Sequence, residues 1–488
     1  MENEKKKRRN RGTARSSGRR PVEGKSSRTE STQKMDVPPS RRELLERENQ
    51  RQQRKMLAAK RRKRQLMIRI LLFLLAVAAC IAGLIVMARS MKQKRLEPGK
   101  GAGTNILEAA EKEVDAGESL QINQETGLPV DPSGESEFPA ANDKDSVTLC
   151  MVGDVILHQR VLDSAVTEGG YDFSNLFANV TQEIRKYDIK IANQETMMGG
   201  SAFGYCGYPA FNSPFEEADA LVDAGFNVVL HASNHALDKG QEAVQNCLNY
   251  WNNNHPDIAV LGIHDENEPS RDMFVYEKNG IRIAVLNYAY GSNQYQEELS
   301  GVLTGELNLL ELEHVEADIA SAKEQADYIV VCPHWGEEDT TELSDEQLMW
   351  SQYFLEWGVD LVIGTHPHVI QPIQKMVRAD GHEMLVYYSL GNFLSNQNDR
   401  YGNVGAMAQV VIGRSDSGEV RTEDYGVRTL VCHESYDGEA YTSYFLDEYP
   451  EELAETNEVK ATDPEFSYSY CWELRDQVFG DVGSIRID

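Results

Sequence analysis

From residue 146 onward, short apolar runs alternate with longer stretches in which apolar residues recur every three or four positions. The short runs are typical of buried strands, and the longer stretches are typical of helices. Five of the runs end in polar residues: SVTLCMVGD, YDIKIANQE, NVVLHASNH, DYIVVCPHWG and DLVIGTHPH. This alternation predicts an α/β fold.

Local signals predict several turns and helix ends. Asn279-Gly280 predicts a hairpin, because both residue types tolerate the left-handed backbone of a tight turn. A second hairpin is predicted around Gly381. Ser213-Pro214 predicts the start of one helix, and SDEQLMWSQYFLEWG, beginning at Ser344, predicts another capped helix.

One stretch is apolar throughout. Residues 70–88 are 19 residues without a charge, which as a helix would span ~28 Å, about one hydrocarbon core. A cleaved signal peptide has a shorter apolar region and a small-residue cleavage site. The basic segment RRKRQLMIR precedes the stretch and few basic residues follow it, so the N-terminus is expected in the cytoplasm. The sequence therefore predicts a single-pass protein of the cell membrane, with its larger C-terminal part outside the cell.

Charge divides the chain at nearly the same place. Residues 1–69 hold 24 Lys and Arg against 8 Asp and Glu (net +16), whereas residues 70–488 hold 25 against 70 (net −45). The basic tail lacks the interleaved aromatic residues of nucleic-acid-binding segments, so we expect contact with anionic lipid of the bilayer and no nucleic acid. The predicted organisation is a disordered basic cytoplasmic tail (1–69), a transmembrane signal anchor (70–88), a flexible stalk (89–144), a folded α/β domain (145–413) and an acidic C-terminal extension partly packed on that domain (414–488).

The cysteines are compatible with an exported domain but do not define a disulfide pattern. Cys150 and Cys332 lie inside apolar runs and are expected to be buried thiols. A bond between Cys432 and Cys471 is left open, because sequence alone cannot give the pairing.

Candidate chemistry begins with the run DLVIG, which leads into His366 and His368 on either side of Pro367. In an extended segment, positions two apart point the same way. The two imidazoles are therefore expected to converge at the C-terminal end of a buried strand, where open α/β sheets place their ligands. Taken alone, the pattern fits surface loop histidines equally well.

Polar residues follow four other strands in the same manner, and strand ends of this kind lie along one edge of a sheet. The full set is Asp154, His158, Asn193, Glu195, Asn234, His235, His334, His366 and His368. A mixed carboxylate, amide and imidazole set without cysteine suits Mn, Fe or Zn. Its size favours two ions over one.

Each of these residues also has an ordinary structural explanation. Asp154 or Asn234 alone would be interpreted as a turn former or helix cap. Glu195 and His158 could be solvated surface residues, and His334 could be a hydrogen-bonded core histidine. The coincidence at five strand ends favours a metal site over these explanations.

The motifs GDVILH, ANQE, SNHALDKG, HWGEE, GTHPHVIQ and YYSLGNF occur in an order and spacing that resemble the bacterial poly-gamma-glutamate capsule-synthesis family. The resemblance covers residues 147–411, and the membrane anchor before an exported domain is similar as well. That family resembles the calcineurin-like metallophosphoesterases. The resemblance implies a four-layer, metallophosphoesterase-like β-sandwich flanked by helices.

The resemblance also implies a role for each residue. One metal would be held by Asp154, His158 and His368, a second by Asn234, His334 and His366, and Glu195 would bridge the two. His235 would protonate the leaving group and would be oriented by Asp238. The phosphoesterase pattern departs from this chain at two points: its bridging residue is an Asp, and its first Asp and His are two positions apart instead of four. Further pocket residues are expected to be Asn193, Glu337 and Asn392.

The leading hypothesis is a metal-dependent hydrolase or transferase that uses one or two divalent transition metal ions on an envelope polymer or its precursor. Two alternatives remain open. The first is a non-catalytic subunit that joins other membrane subunits of a polyglutamate synthesis and export complex. The second is a phosphoesterase for nucleotides or wall phosphates. The acidic exterior would repel a polyanionic polymer unless cations intervene.

Overall fold

The structure, a computed structural model, describes residues 146–265, 273–293, 307–415, 417–436, 438 and 440–487. The predicted tail, anchor and stalk lie outside these ranges. Among the described residues, no helix has the length and hydropathy that crossing a bilayer requires.

The strands and helices alternate along most of the described chain. The strands are β1 (Ser146–Val155), β2 (Val166–Thr167), β3 (Gly170–Tyr171), β4 (Ile189–Gln194), β5 (Val228–Leu230), β6 (Ala259–Leu261), β7 (Met273–Lys278), β8 (Ile281–Ala289), β9 (Tyr328–His334), β10 (Leu361–Ile363), β11 (Ile370–Val377), β12 (Glu383–Leu390), β13 (Asn392–Leu394), β14 (Val404–Arg414), β15 (Val420–Glu434) and β16 (Tyr441–Phe445). The α-helices are α1 (Gln159–Ser164), α2 (Thr181–Ile184), α3 (Glu216–Ala224), α4 (Gln241–Asn254), α5 (Leu312–Gln325), α6 (Asp345–Trp357), α7 (Glu451–Thr456) and α8 (Tyr468–Phe479). The prediction of an α/β fold is confirmed.

Most strands belong to two sheets. The larger has the order β16-β15-β14-β1-β4-β5-β6, with β13 also paired to β1, and the smaller has the order β11-β12-β10-β9-β8-β7. β1, β4, β5 and β6 are parallel to one another, and so are β8, β9, β10 and β12. Each sheet therefore presents the C-terminal ends of several parallel strands at one edge, the usual place for ligands.

The two sheets pack face to face because their strands alternate between two apolar faces. Leu149 and Met151 of β1 share a core with Ile283 of β8. Cys150, on the opposite face of β1, belongs to a second core with Trp251 of α4. Helices α5 and α6 contact β9 and β12 of the smaller sheet. The layers therefore run helix, sheet, sheet, helix.

Both predicted hairpins are present. β7 and β8 are antiparallel and turn at Asn279 and Gly280, whose φ angles are 55° and 71°. β11 and β12 are antiparallel across Gly381, which has a φ of 96°. Helix α6 begins with a capping box in which Ser344 and Gln347 satisfy each other's backbone N–H groups. These local predictions are confirmed.

The predicted helix start at Ser213-Pro214 is wrong. Helix α3 begins at Glu216, and the residue before it makes no side-chain cap. The Ser213 hydroxyl lies 3.1 Å from Oγ1 of Thr196 in the interior. The Ser213 hydroxyl, which the local pattern predicts as a helix cap, therefore makes a tertiary hydrogen bond instead.

Residues beyond 413 are built into the fold. β15 pairs with β14 over most of its length, and β16 pairs with β15. Leu430 and Phe445 belong to the core on the helical face of the larger sheet, and Leu474 of α8 belongs to the core between the sheets. The predicted boundary at 413/414 thus falls at the end of β14, inside one continuous sheet.

The cysteines within the described ranges are free thiols. Cys150 and Cys332 are buried, as predicted. Cys432 and Cys471 are also buried and do not form a disulfide.

Gly153 allows the backbones of β1 and the β12–β13 junction to touch. A Cβ at this position would lie 1.9 Å from the carbonyl oxygen of Gly391, which accepts the N–H of Asp154. We expect Gly153→Ala to lower the free energy of unfolding by about 1–3 kcal/mol, the usual effect of overpacking. Urea unfolding measures this. Gly169→Ala, where an added Cβ meets nothing within 4 Å, is the matched control, and equal stabilities of the two variants would contradict the prediction.

Candidate metal centre

Polar side chains from both sheets meet at the C-terminal ends of β1, β4, β5, β9 and β10. Asp154 lies near the end of β1, and Glu195 directly follows β4. Asn234 and His235 lie four and five residues beyond β5. The stretch after β10 carries the His-Pro-His loop, which we define as residues 366–368.

Asp154 is fully buried and connects the two sheets. Its Oδ1 accepts a hydrogen bond of 2.7 Å from Nδ2 of Asn193. Its Oδ2 accepts the backbone N–H of His366 at 3.2 Å and lies 3.3 Å from Nδ1 of His368. This carboxylate is therefore held in one orientation by three groups.

Glu195 is 2% exposed and is surrounded by imidazoles. Its oxygens lie 3.8 Å from Nε2 of His368, 3.9 Å from Nε2 of His334 and 4.0 Å from Nε2 of His235. These distances exceed those of hydrogen bonds. Oε2 has no hydrogen-bond partner among the described residues. Burial, with Asp154 adding to it, raises the pKa of the Glu195 carboxyl well above its ordinary value.

His368 supplies the positive charge between these two carboxylates. Burial alone would lower its pKa, but Glu195 and Asp154 raise the pKa of the imidazole to about 10. Its Nδ1 lies 3.1 Å from Oδ1 of Asn392, so the predicted pocket residue Asn392 contacts the centre through His368. The buried carboxylates thus require a compensating positive charge, which a divalent cation would also supply.

Two groups of side chains have ligand atoms close enough to share a cation. The first is Asp154, Glu195 and His368, and the second is Glu338, His366 and His368; within each group the ligand atoms lie within 4.8 Å of one another. Nδ1 of His366 is buried without a hydrogen-bond partner in the described structure. Oxygen and imidazole nitrogen atoms left unpaired in this way fit a divalent transition metal.

The surroundings of His334 and His366 favour the neutral imidazole, the form that ligates metals. Burial, together with repulsion from neighbouring histidines, holds the pKa of each ring well below its ordinary value. The two ring centroids are 4.7 Å apart. Nε2 of His334 lies 2.9 Å from Oδ1 of Asn234, and its Nδ1 lies 3.0 Å from Oγ1 of Thr365.

The His-Pro-His loop is not extended, contrary to expectation. His366 and His368 have φ angles of 96° and 62°, in the left-handed region. Such conformations cost on the order of 1–3 kcal/mol each and persist where neighbouring structure imposes them. Here the N–H of His366 donates to Asp154, and the carbonyl of Pro367 accepts the N–H of Asp339 at 2.9 Å. The imidazoles converge because the backbone curls, not because alternate residues of a strand share a face.

His235 and Asp238 form a buried pair beside the first group. Nδ1 of His235 donates to Oδ2 of Asp238 at 2.6 Å, and the same oxygen accepts the N–H of Phe211 at 2.7 Å. Nε2 of His235 therefore faces the centre, where it lies 3.3 Å from Nδ2 of Asn293. This arrangement can hold a proton-transferring imidazole in a single orientation.

The structure does not bring His158, His334 or Glu337 into either group. His158 is the residue before α1, and its Nδ1 accepts the backbone N–H of Asn396 at 3.1 Å. Burial, with His368 adding to it, lowers the pKa of His158 to about 4. The four-residue spacing from Asp154 carries His158 past the strand end to the start of a helix. Glu337 is exposed, and its neighbour Glu338 takes part instead.

Sequence reasoning missed Glu338, Tyr290, Asn293 and Thr365. Tyr290 directly follows β8, and its ring centroid lies 4.6 Å from that of His366, so the rule of strand ends could have found it. Glu338 lies four positions after His334 in HWGEE, on the face that strand alternation would select, whereas the prediction took Glu337, three positions after His334. Thr365 follows β10 within the run DLVIGTHPH, so the same rule could have found it, whereas no local signal marks Asn293.

Comparison with known proteins finds relatives among capsule proteins. The chain is 24% identical to the PGA biosynthesis protein CapA of Bacillus subtilis (strain 168) over 304 residues, which cover 59% of this chain and 73% of that protein. It is 26% identical to the capsule biosynthesis protein CapA of Bacillus anthracis over 262 residues, which cover 52% of this chain and 61% of that protein.

Solved structures of low similarity include a putative 5'-nucleotidase from Staphylococcus aureus. It is 18% identical, with a TM-score of 0.38, and the match covers 58% of this chain and 54% of that one. The calcineurin-like phosphoesterase YfkN of Bacillus subtilis is 13% identical, with a TM-score of 0.34, and the match covers 68% of this chain and 99% of that one. Scores this low carry no argument about function.

The family model described as "Bacterial capsule synthesis protein PGA_cap" matches residues 148–397, more than half of the chain. This match includes every residue of the candidate metal centre. The chain therefore belongs to the PGA_cap family of bacterial capsule synthesis proteins.

Proposed function

We propose that the chain is a metal-dependent hydrolase or transferase, of metallophosphoesterase type, that acts on an envelope polymer during capsule biosynthesis. One observation carries the proposal: Asp154, Glu195 and His368 converge at buried strand ends beside the paired His235 and Asp238. Oε2 of Glu195 is buried at this point without a hydrogen-bond partner in the described structure, so it is free to accept a cation.

Asp154, Glu195 and His368 would hold a Mn, Fe or Zn ion, whose oxygen and imidazole ligands they match. A bound ion of this kind acts as a Lewis acid toward the scissile centre. His235 would deliver the proton to the leaving group from Nε2, while Asp238 keeps the other ring nitrogen protonated. Asn193 and the N–H of His366 keep the Asp154 carboxylate in place.

The membrane placement is part of the same proposal. Residues 70–88 would anchor the chain, with the basic tail in the cytoplasm and the domain outside, where a capsule polymer is assembled. The resemblance to the poly-gamma-glutamate capsule-synthesis family, with one relative named a PGA biosynthesis protein, makes poly-gamma-glutamate the first polymer to test. Net charge is strongly negative from residue 70 onward, so a polyanion would approach more readily with cations bound.

Cation content tests the metal centre. We expect the purified full chain to hold one to two equivalents of Mn, Fe or Zn, and Glu195→Gln to weaken binding at least tenfold, because a buried anionic ligand is lost. Plasma mass spectrometry and titration of the stripped protein measure both. Glu217→Gln is the matched control, since Glu217 is equally buried but lies outside both ligand groups. Less than one equivalent in the wild type would overturn the proposal.

One observation favours a second candidate, a non-catalytic subunit of a synthesis and export complex. Asn234 and His334 satisfy each other at 2.9 Å, as they would in a structural polar network. Complementation of a capsule-negative strain separates the two functions. Full restoration of capsule by Glu195→Gln and His235→Gln would establish the subunit and overturn the enzyme.

A further inference from the structure

Glu338 is an exposed carboxylate at the edge of an otherwise buried cluster. We propose that Glu338 and His366, beside His368, form a second position for a divalent transition metal, with the Glu338 carboxylate as its solvent-side ligand. The inference rests on the proposed metal-dependent function. It assigns to this residue a role that neither the strand-end pattern nor the phosphoesterase pattern gave it.

Proximity is the first argument. Ligand atoms of the three residues lie within 4.8 Å of one another. His366 and His368 are only 3% and 6% exposed, and the ring centroids of the two are 5.9 Å apart. Nδ1 of His366 is buried and makes no hydrogen bond within the described structure. An unpaired buried imidazole nitrogen is unfavourable unless a proton donor or a metal occupies its lone pair.

The backbone holds Glu338 against the His-Pro-His loop. The N–H of Trp335 donates to the carbonyl of Thr365 at 3.1 Å, and the N–H of Asp339 donates to that of Pro367 at 2.9 Å. Gly336 and Asp339, on either side of the two glutamates, have φ angles of 97° and 61°. This turn brings Glu338 close to the histidines, although the residue is exposed. The fold thus places residue 338 beside the His-Pro-His loop.

Charge and lone-pair counting make Glu338 necessary to the second position. A neutral imidazole has one lone pair, so His368 can ligate in only one of the two groups at a time. When His368 serves Asp154 and Glu195, the second position keeps His366 and Glu338. Glu338 is then its anionic ligand. Removing that carboxylate should abolish the second position and spare the first.

Titration calorimetry on the full, metal-stripped chain in detergent tests this with Mn²⁺ and with Zn²⁺. We expect the wild type to bind two cations. Glu338→Gln should bind one, or should bind the second at least tenfold more weakly. Glu337→Gln, the adjacent exposed glutamate, should bind as the wild type does. Thermal unfolding in chelator checks that all three proteins are folded.

Each result decides the matter. A wild-type stoichiometry of one overturns the second position, and so does a Glu338→Gln variant that binds both cations within threefold of the wild-type affinities. Equal losses of cation affinity in Glu337→Gln and Glu338→Gln also overturn it, because such losses would come from the reduced negative charge of the surface and not from a lost ligand. Binding of no cation by the wild type overturns the proposed function as well. The three proteins could bind cations as expected while the wild type turns over no polymer. That result would overturn the proposed enzyme and leave the second metal position standing.

Discussion

Replacing His235 with glutamine is expected to lower the initial rate on isolated envelope polymer by about 10²–10⁴-fold, the range typical of a lost general acid. The variant should bind cations as the wild type does, because His235 is outside both ligand groups. Glutamine can donate a hydrogen bond but cannot transfer a proton. Product release measured with saturating Mn²⁺ gives the rate, and calorimetry gives the binding.

A second histidine–carboxylate pair provides the matched control. Nε2 of His255 lies 2.6 Å from Oδ1 of Asp219, a separation equal to that between His235 and Asp238. His255→Gln should keep the wild-type rate. A rate for His235→Gln within threefold of the wild type would remove the residue from the chemistry.

Replacing Glu217 with glutamine is expected to stabilise the protein at alkaline pH. Glu217 is fully buried, with Gln194 and Ser213 as the polar side chains beside its carboxyl group. Burial raises the pKa of this carboxyl to about 8, and Gln194 and Ser213 only partly oppose it. The folded protein therefore keeps Glu217 protonated at pH values where the unfolded chain ionises it.

The sign of the pH dependence follows from these two pKa values. Below about pH 4.5 both states are protonated, and the wild type has its full stability. Stability then falls as the pH rises toward 8, because only the unfolded state releases the proton freely. At about 1.4 kcal/mol per pKa unit, glutamine should gain up to ~5 kcal/mol at pH 9 and little at pH 4.

Urea unfolding of the stripped proteins at pH 4 and pH 9 measures this difference. Glu242→Gln, an exposed position in the first turn of α4, is the control and should show no comparable gain. A Glu217→Gln variant whose advantage is the same at both pH values would contradict the ionisation argument.

Strand ends were predictable because their residues obey a simple geometric rule. Apolar runs identified β1, β4, β5, β9 and β10, and the C-terminal ends of parallel strands meet at one edge. Asp154, Glu195 and His334 could thus be placed near one another without knowing the pairing order. The hairpin at Asn279 and Gly280 was equally accessible, because its two residues favour the backbone that the turn requires.

Other features depend on tertiary contacts that leave no local trace. His366 and His368 adopt left-handed backbones only because Asp154 and Asp339 bond to the loop from elsewhere in the fold. Exposed and buried positions do not alternate regularly along β15, which lies between two other strands, so its sequence gives only a weak strand pattern.

The position of β1 in its sheet has a consequence for how the chain acquires its structure. β1 is the first described strand to be synthesised, yet one of its neighbours is β14, and Val152 pairs with Met407. Loop closure over such a separation is slow, so the sheet cannot be completed until more than 250 further residues have been made. During that interval one edge of β1 lacks its partner, and an unpaired apolar edge readily joins another chain. Aggregation of the newly made chain should therefore depend on the time that passes between the synthesis of β1 and the synthesis of β14.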